Sequence, residues 1–126
     1  MILFDNSIIY FFYIENTSID PHYNLAFEEY VFKNLNLNEE FVLLWRNEPS
    51  IIVGKNQNTV EEINMGYVKE NDINVVRRVT GGGAVYHDLG NLNFSFIVKA
   101  DDSEKIDFKI YNIPIIKALE KIGVNC

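Results

Sequence analysis

The stretch RRVTGGGAVYHDLGN, Arg77 to Asn91, holds two arginines, three consecutive glycines and a His-Asp pair. Glycine loses more backbone freedom on ordering than any other residue, so three together imply a backbone shape that side chains would obstruct. Such a segment lets successive N–H groups approach a ligand closely, and concavities built this way bind anions. Fixed positive charge stands beside it. The chain has only Arg46, Arg77 and Arg78 as arginines, and two of the three lie here. The spacing is neither the GxxxxGK[ST] of a Walker loop nor the GxGxxG of a dinucleotide fold. His87 and Asn91 add donors for a carboxylate or phosphate. A glycine-rich hairpin with a salt-bridged arginine and a solvated histidine would use the same residues, and composition leaves both readings open.

The flanks place this stretch on a sheet. INVVRRV, Ile73 to Val79, reads as a strand running into it, and LNFSFIVK, Leu92 to Lys99, as a strand running out. Neighbouring strand residues point to opposite faces, so only one of Arg77 and Arg78 is expected to face a ligand. Upstream, Ile8 to Ile14 is a dense run of β-branched and aromatic residues and predicts a strand. Asp20-Pro21 offers an N-cap and a first-turn proline, opening a helix through HYNLAFEEYVFKNL. Leu25 and Phe32 lie near helical spacing on its apolar side, with Glu28 and Glu29 on another flank. FVLLWRN and SIIVG are short apolar strands around Glu48-Pro49, a turn signal that favours a hairpin. NTVEEINMGYVKEN predicts a helix with a Thr59–Glu62 capping box. A last helix is expected over much of Ile106 to Ile122, with Pro114 as a kink or restart and Gly123 as its stop. Strands and helices in this order give an α/β (α+β) domain, a mixed β-sheet packed with helices.

Composition narrows the function classes. A chain of 126 residues suits one domain. Its net charge of -7, from 11 basic and 18 acidic residues, discourages unspecific nucleic-acid binding, which draws on many cationic contacts to phosphate. Cys126 is the single cysteine, so an intrachain disulfide is impossible. The apolar start lacks a basic leader and is interrupted by Asp5, which fits neither a signal peptide nor a membrane span and leaves a cytoplasmic protein as the expectation. His22 and His87 are the only histidines, so no compact His/Cys set for structural zinc exists and no protein metal site is expected. Asp88 could help position a nucleotide-bound Mg2+, but one carboxylate is weak evidence for it. No GxSxG elbow supports a serine hydrolase.

RRVTGGGAVYHDLGNLNFS resembles the signature of lipoate–protein ligases, within the class II synthetase-like biotin/lipoate ligase and acyltransferase fold. LLWRNEPSIIVGKNQN is similar to the segment preceding that signature, and the likeness extends through YNLAFEEYV and ALEKIGV across essentially the whole chain. The resemblance implies ATP-dependent activation of lipoate to lipoyl-AMP, with Mg2+ accompanying ATP and no permanently bound cofactor. It further implies transfer to a lysine on the lipoyl domain of a 2-oxoacid dehydrogenase complex or on the glycine-cleavage H protein. By it, Arg78 contacts nucleotide and intermediate, and Gly83, Ala84, Val85 and Tyr86 form the ATP-binding stretch. Asn91 is a phosphate-side contact. Gly81 and Gly82 shape the preceding turn, with Gly82 beside the lipoyl group. His87 flanks the lipoyl and adenylate path, and Trp45 lines the lipoyl pocket. Arg78 and His87 would support catalysis. The family's central lysine lies on a strand beyond the last helix, after Cys126, so residues 1–126 are expected to be the N-terminal portion of a single catalytic domain. Octanoyl or lipoyl transfer without ATP and a noncatalytic lipoyl-binding fragment are the alternatives. A biotin ligase is disfavoured because no GRGRxGR-like basic loop occurs.

Overall fold

The computed structural model describes residues 2–4, 7–9, 11–35, 39–99 and 108–126. Strands β1 (Ile2–Phe4) and β2 (Ser7–Ile9) pair antiparallel, and β3 (Phe11–Glu15) belongs to another sheet. The single strand expected over 8–14 is therefore two; Tyr10 lies outside the described residues. Helix α1 (Pro21–Asn34) starts as its sequence dictates: Asp20 Oδ1 accepts the N–H groups of His22 (2.8 Å) and Tyr23 (3.3 Å), and Pro21 occupies the first turn.

Strands β4 (Glu40–Trp45) and β5 (Ser50–Val53) do not form the expected hairpin. β4 sits between β3, which is parallel, and β8 (Asn93–Ile97), which is antiparallel. β5 sits in a second three-stranded sheet, between β6 (Asn74–Arg77, parallel) and β7 (Val85–His87, antiparallel). Each parallel pair is bridged by helix: α1 joins β3 to β4, while α2 (Thr59–Glu62) and α3 (Met65–Glu70) join β5 to β6. The link over 46–49 carries the chain from one sheet into the next. There Glu48 N–H donates to Ile19 O (2.8 Å), and Pro49 O accepts from Asn74 N–H (3.2 Å). A turn signal marks the link but does not say whether the chain reverses. The nearly continuous burial of β5 fits a strand flanked on both sides.

Two helices differ from the sequence expectation. The segment over 58–71 breaks into α2 and α3. Asn58, not Thr59, is the first cap position and makes no side-chain cap, so the Thr59–Glu62 capping box does not form. Asn64 caps α3 by accepting from Tyr67 N–H (3.1 Å). Helix α4 (Phe108–Lys121) runs through Pro114 without a restart; residues 106–107 lie outside the described set. Gly123 ends it at φ +86, with Gly123 N–H bonded to Glu120 O and Val124 N–H to Leu119 O, a Schellman closure.

Phe41, Leu43 and Trp45 alternate inward along β4 and pack with Val31 of α1 and Ile97 of β8. Ile14, Phe27 and Leu35 close the margin of this cluster. The apolar face of α1 is not the expected one: Phe32 is 58% exposed, while Asn24 and Val31 are buried and Glu28 turns inward. Helical spacing offers more than one face. The neighbouring sheets select the one whose polar groups find partners.

Candidate functional site

The strand expected over 73–79 is shorter, ending at Arg77, and the two arginines part at its end. Val53 pairs with Arg77, the last residue of the strand, and Arg78 follows with its N–H on Val53 O (2.9 Å). The Arg77 guanidinium gathers the turn after β5. It donates to Gly54 O (2.7 Å), Lys55 O (3.2 Å), Gln57 O (2.9 Å) and Thr59 Oγ1 (2.6 Å). Arg78 instead organises the glycine loop. Its Nε and Nη2 both reach Gly81 O (3.1 and 2.8 Å), Nη2 reaches Gly83 O (2.7 Å), and Nη1 reaches Ile52 O (3.2 Å).

The loop over 78–84 crosses the end of β5 to reach β7 on its other side. The crossing is close: a Cβ on Gly54 would stand 2.0 Å from Gly82 O. Gly82 has φ +96, a left-handed conformation that glycine adopts without strain. Gly81 and Gly83 have open space where a side chain would stand. Around this crossing, Gly54 and Gly82 are thus the glycines that the fold itself requires. Bare backbone at Gly81 and Gly83 is free for something outside the protein to approach.

A cleft of about 560 Å³ lies beside this loop. Leu25 and Glu28 of α1 line it, with Trp45 and Ser95 from one sheet and Ile52, Arg78 and His87 from the other. Of the residues picked out in the sequence, Trp45, Arg78, Val85, Tyr86, His87 and Asn91 all line this cleft. Gly82 and Gly83 stand at its edge through Arg78, whose guanidinium is bonded to Gly83 O and lies 2.9 Å from the Cβ position of Gly82. Ala84 connects the loop to β7 and is not among the lining residues. Asn91 Nδ2 donates to Asn93 Oδ1 (3.0 Å). Among the described residues, the buried donors Trp45 Nε1 and Asn93 Nδ2 have no hydrogen-bond partner.

Glu28 is the site residue that periodicity missed. It accepts a hydrogen bond from Ser95 Oγ, and burial raises its carboxyl above the ordinary value, the Ser95 bond acting in the opposite direction. The available signal was a carboxylate one helical turn from Asn24, on the face that includes Val31. The raised value means that the native state keeps its proton where the unfolded chain has released it. Stability from this group is therefore greatest below the ordinary carboxylate pKa and falls as pH rises toward the raised one. Glu28→Gln is expected to be more stable than the parent above that window and to lose its advantage below it. Thermal unfolding followed against pH checks this, and a constant difference at every pH would contradict it.

Burial, with the charge of Arg78 adding to it, holds His87 below its ordinary pKa. The Asp88 carboxylate is engaged by Gly90 N–H (2.8 Å). Among the described residues no three of His, Cys, Asp and Glu gather as a metal-binding group. Among them, too, no helix is long and apolar enough to cross a membrane.

The lipoyl protein ligase A/B catalytic domain family matches residues 20–126. Lipoate-protein ligase LplJ of Bacillus subtilis (strain 168) is 58% identical over 113 residues, covering 89% of this chain and 34% of that protein. Lipoate–protein ligase 1 of Staphylococcus aureus (strain Mu50) is 55% identical over 114 residues, covering 90% and 35%. The chain spans about a third of the length of these curated relatives. Three solved structures share the fold. A bi-partite lipoate protein ligase of Thermoplasma acidophilum, studied with its E2 lipoyl domain, aligns at TM-score 0.79 and 32% identity over 92% of this chain and 47% of that one. Protein Ta0514 of T. acidophilum with bound lipoic acid gives 0.78 and 32% over 93% and 49%. Lipoate-protein ligase A bound with ATP gives 0.76 and 31% over 93% and 47%.

Proposed function

Because this chain belongs to the lipoyl protein ligase A/B catalytic domain family, we propose that its residues form part of a single catalytic domain that activates lipoate with ATP. The reaction joins the lipoate carboxylate to the α-phosphate, releases pyrophosphate, and passes the acyl group to a lysine amine of a lipoyl acceptor domain. The observation that carries the reading is the open cleft beside the Arg78-ordered glycine loop, lined by apolar and polar groups together.

Lipoate carboxylate and triphosphate repel each other in water, so their reaction needs donors fixed in advance. Arg78, the N–H groups around Gly83, Val85 and Tyr86, and Asn91 supply the nucleotide side. Trp45, Ile52 and Gly82 flank the acyl chain, and His87 stands between the two. Mg2+ is assigned to the triphosphate and water, since it prefers phosphate oxygens and keeps much of its hydration. Acceptors of the class carried by 2-oxoacid dehydrogenase complexes or the glycine-cleavage H protein fit this chemistry. A cytoplasmic setting fits it too.

The test is lipoate-dependent pyrophosphate release by the full-length protein, followed by labelling of an acceptor lysine. Transfer of octanoate from an acyl-carrier protein without ATP consumption would replace the ligase with the acyltransferase reading.

A further inference from the structure

Two buried asparagines form a chain of contacts that ends on His87. Asn24 and Asn47 are 1% and 0% exposed. Asn24 Nδ2 lies 3.0 Å from Ser18 O and 3.0 Å from Arg46 O. Main-chain carbonyls only accept, so the atom between them is the amide nitrogen. That nitrogen also meets the Asn47 side chain at 2.8 Å, where only Oδ1 can accept, so the two N–H groups of Asn24 are shared among three acceptors. The nitrogen of Asn47 is thereby turned toward His87 Nδ1, 3.0 Å away. At the other end, Asn16 Nδ2 donates to Asn24 Oδ1 (2.9 Å). Every step runs in one direction, and its sense is set by two carbonyls that cannot change roles.

We propose that Asn24 and Asn47 are positioning residues that fix His87 as a neutral imidazole with its proton on Nε2, so that the cleft meets a donor rather than a base. Nδ1, receiving the Asn47 N–H, must present its lone pair. A neutral ring then places its one proton on Nε2. Burial and Arg78 both disfavour the imidazolium, which agrees with the neutral form. Arg78 and Glu28 are the charged groups lining the same cleft. What the donor meets rests on the proposed function: a carboxylate or α-phosphate oxygen as charge redistributes between them. An apolar pair would fill the space at 24 and 47 but could not dictate the tautomer. Buried amides held in one orientation can.

The test labels histidine with 15N in the full-length protein. At neutral pH the His87 signals, assigned by their loss in His87→Gln, should show unprotonated Nδ1 and protonated Nε2. Asn47→Asp keeps the shape and the bond from Asn24 but turns an acceptor toward Nδ1. Its spectrum should show Nδ1 protonated at pH 8, with kcat for pyrophosphate release at least tenfold lower while KM for ATP stays within about twofold. Part of the rate should return at lower pH, as the ring takes a second proton and Nε2 donates again. A purely structural loss would not follow pH in this way. A parent ring protonated on Nδ1, or an Asn47→Asp enzyme with the parent tautomer or with parental kcat at pH 8, overturns the proposal. If Asn47→Asp does not fold, the parent spectrum alone decides. The expected spectrum in a protein that releases no pyrophosphate would leave the positioning role intact and overturn the ligase reading instead.

Discussion

Arg78→Ala is expected to lower lipoate-dependent pyrophosphate release by roughly a hundredfold in the full-length protein, the loss of about 3 kcal/mol of transition-state stabilisation. Two losses coincide. The guanidinium is the cationic group on the cleft wall, and it also holds the carbonyls of Gly81 and Gly83. Without it, the loop that presents bare N–H groups loses its internal frame. Arg78→Lys should recover little, because a point charge cannot reproduce two nitrogens on Gly81 O together with reach to Gly83 O and Ile52 O. Arg77→Ala is the matched control. Its four contacts gather the turn over 54–59, so its removal should cost about 1–2 kcal/mol of stability and leave the rate per folded molecule within a few-fold. Thermal unfolding and pyrophosphate release, measured on both variants, separate the two roles. A dead but stable Arg77→Ala enzyme beside an active Arg78→Ala enzyme would reverse the assignment.

Gly54→Ala should be the most damaging of the Gly→Ala changes in this chain. The added carbon would stand 2.0 Å from Gly82 O, and this neighbour is backbone, not a movable side-chain tip. Gly54 cannot retreat easily: its N–H is bonded to Gln57 Oε1 (2.8 Å) and its carbonyl to Arg77 (2.7 Å). Overpacking of this kind costs about 3 kcal/mol unless the loop moves. Moving the loop breaks the Arg78 contacts instead, so either outcome removes function. The expected result is a clear drop in melting temperature or, with the fold retained, pyrophosphate release at least tenfold lower. Gly83→Ala provides the contrast. Open space surrounds that position, so stability should stay within about 0.5 kcal/mol while ATP binding weakens. Gly54→Ala matching the parent in both measurements would mean that the loop does not rest on Gly54 as the structure has it.

The residues that determined structure locally were legible in the chain. Asp20-Pro21 opens α1 and Gly123 closes α4, because caps and stops are written within one helical turn. The alternation of Phe41, Leu43 and Trp45 announced a strand with one core face. The glycine-rich stretch, with His87 ten residues beyond Arg77, carried the family resemblance; Arg77 and Arg78 have different partners, as expected, but Arg78 lies past the end of β6, so strand parity is not the reason. Sequence could not say which strands pair. FVLLW and SIIV are neighbours in the chain, yet each bonds to strands that are distant in sequence, since hydrogen-bonding edges are identical for every apolar strand. Nor could spacing select the inward face of α1, where Glu28 meets Ser95 and Asn24 meets Asn47 only after the sheets are in place. A buried polar side chain is stable only beside its partner, and these partners lie 67 and 23 residues away. Tertiary structure therefore decided the inward carboxylate of α1 and the asparagine contacts that reach His87.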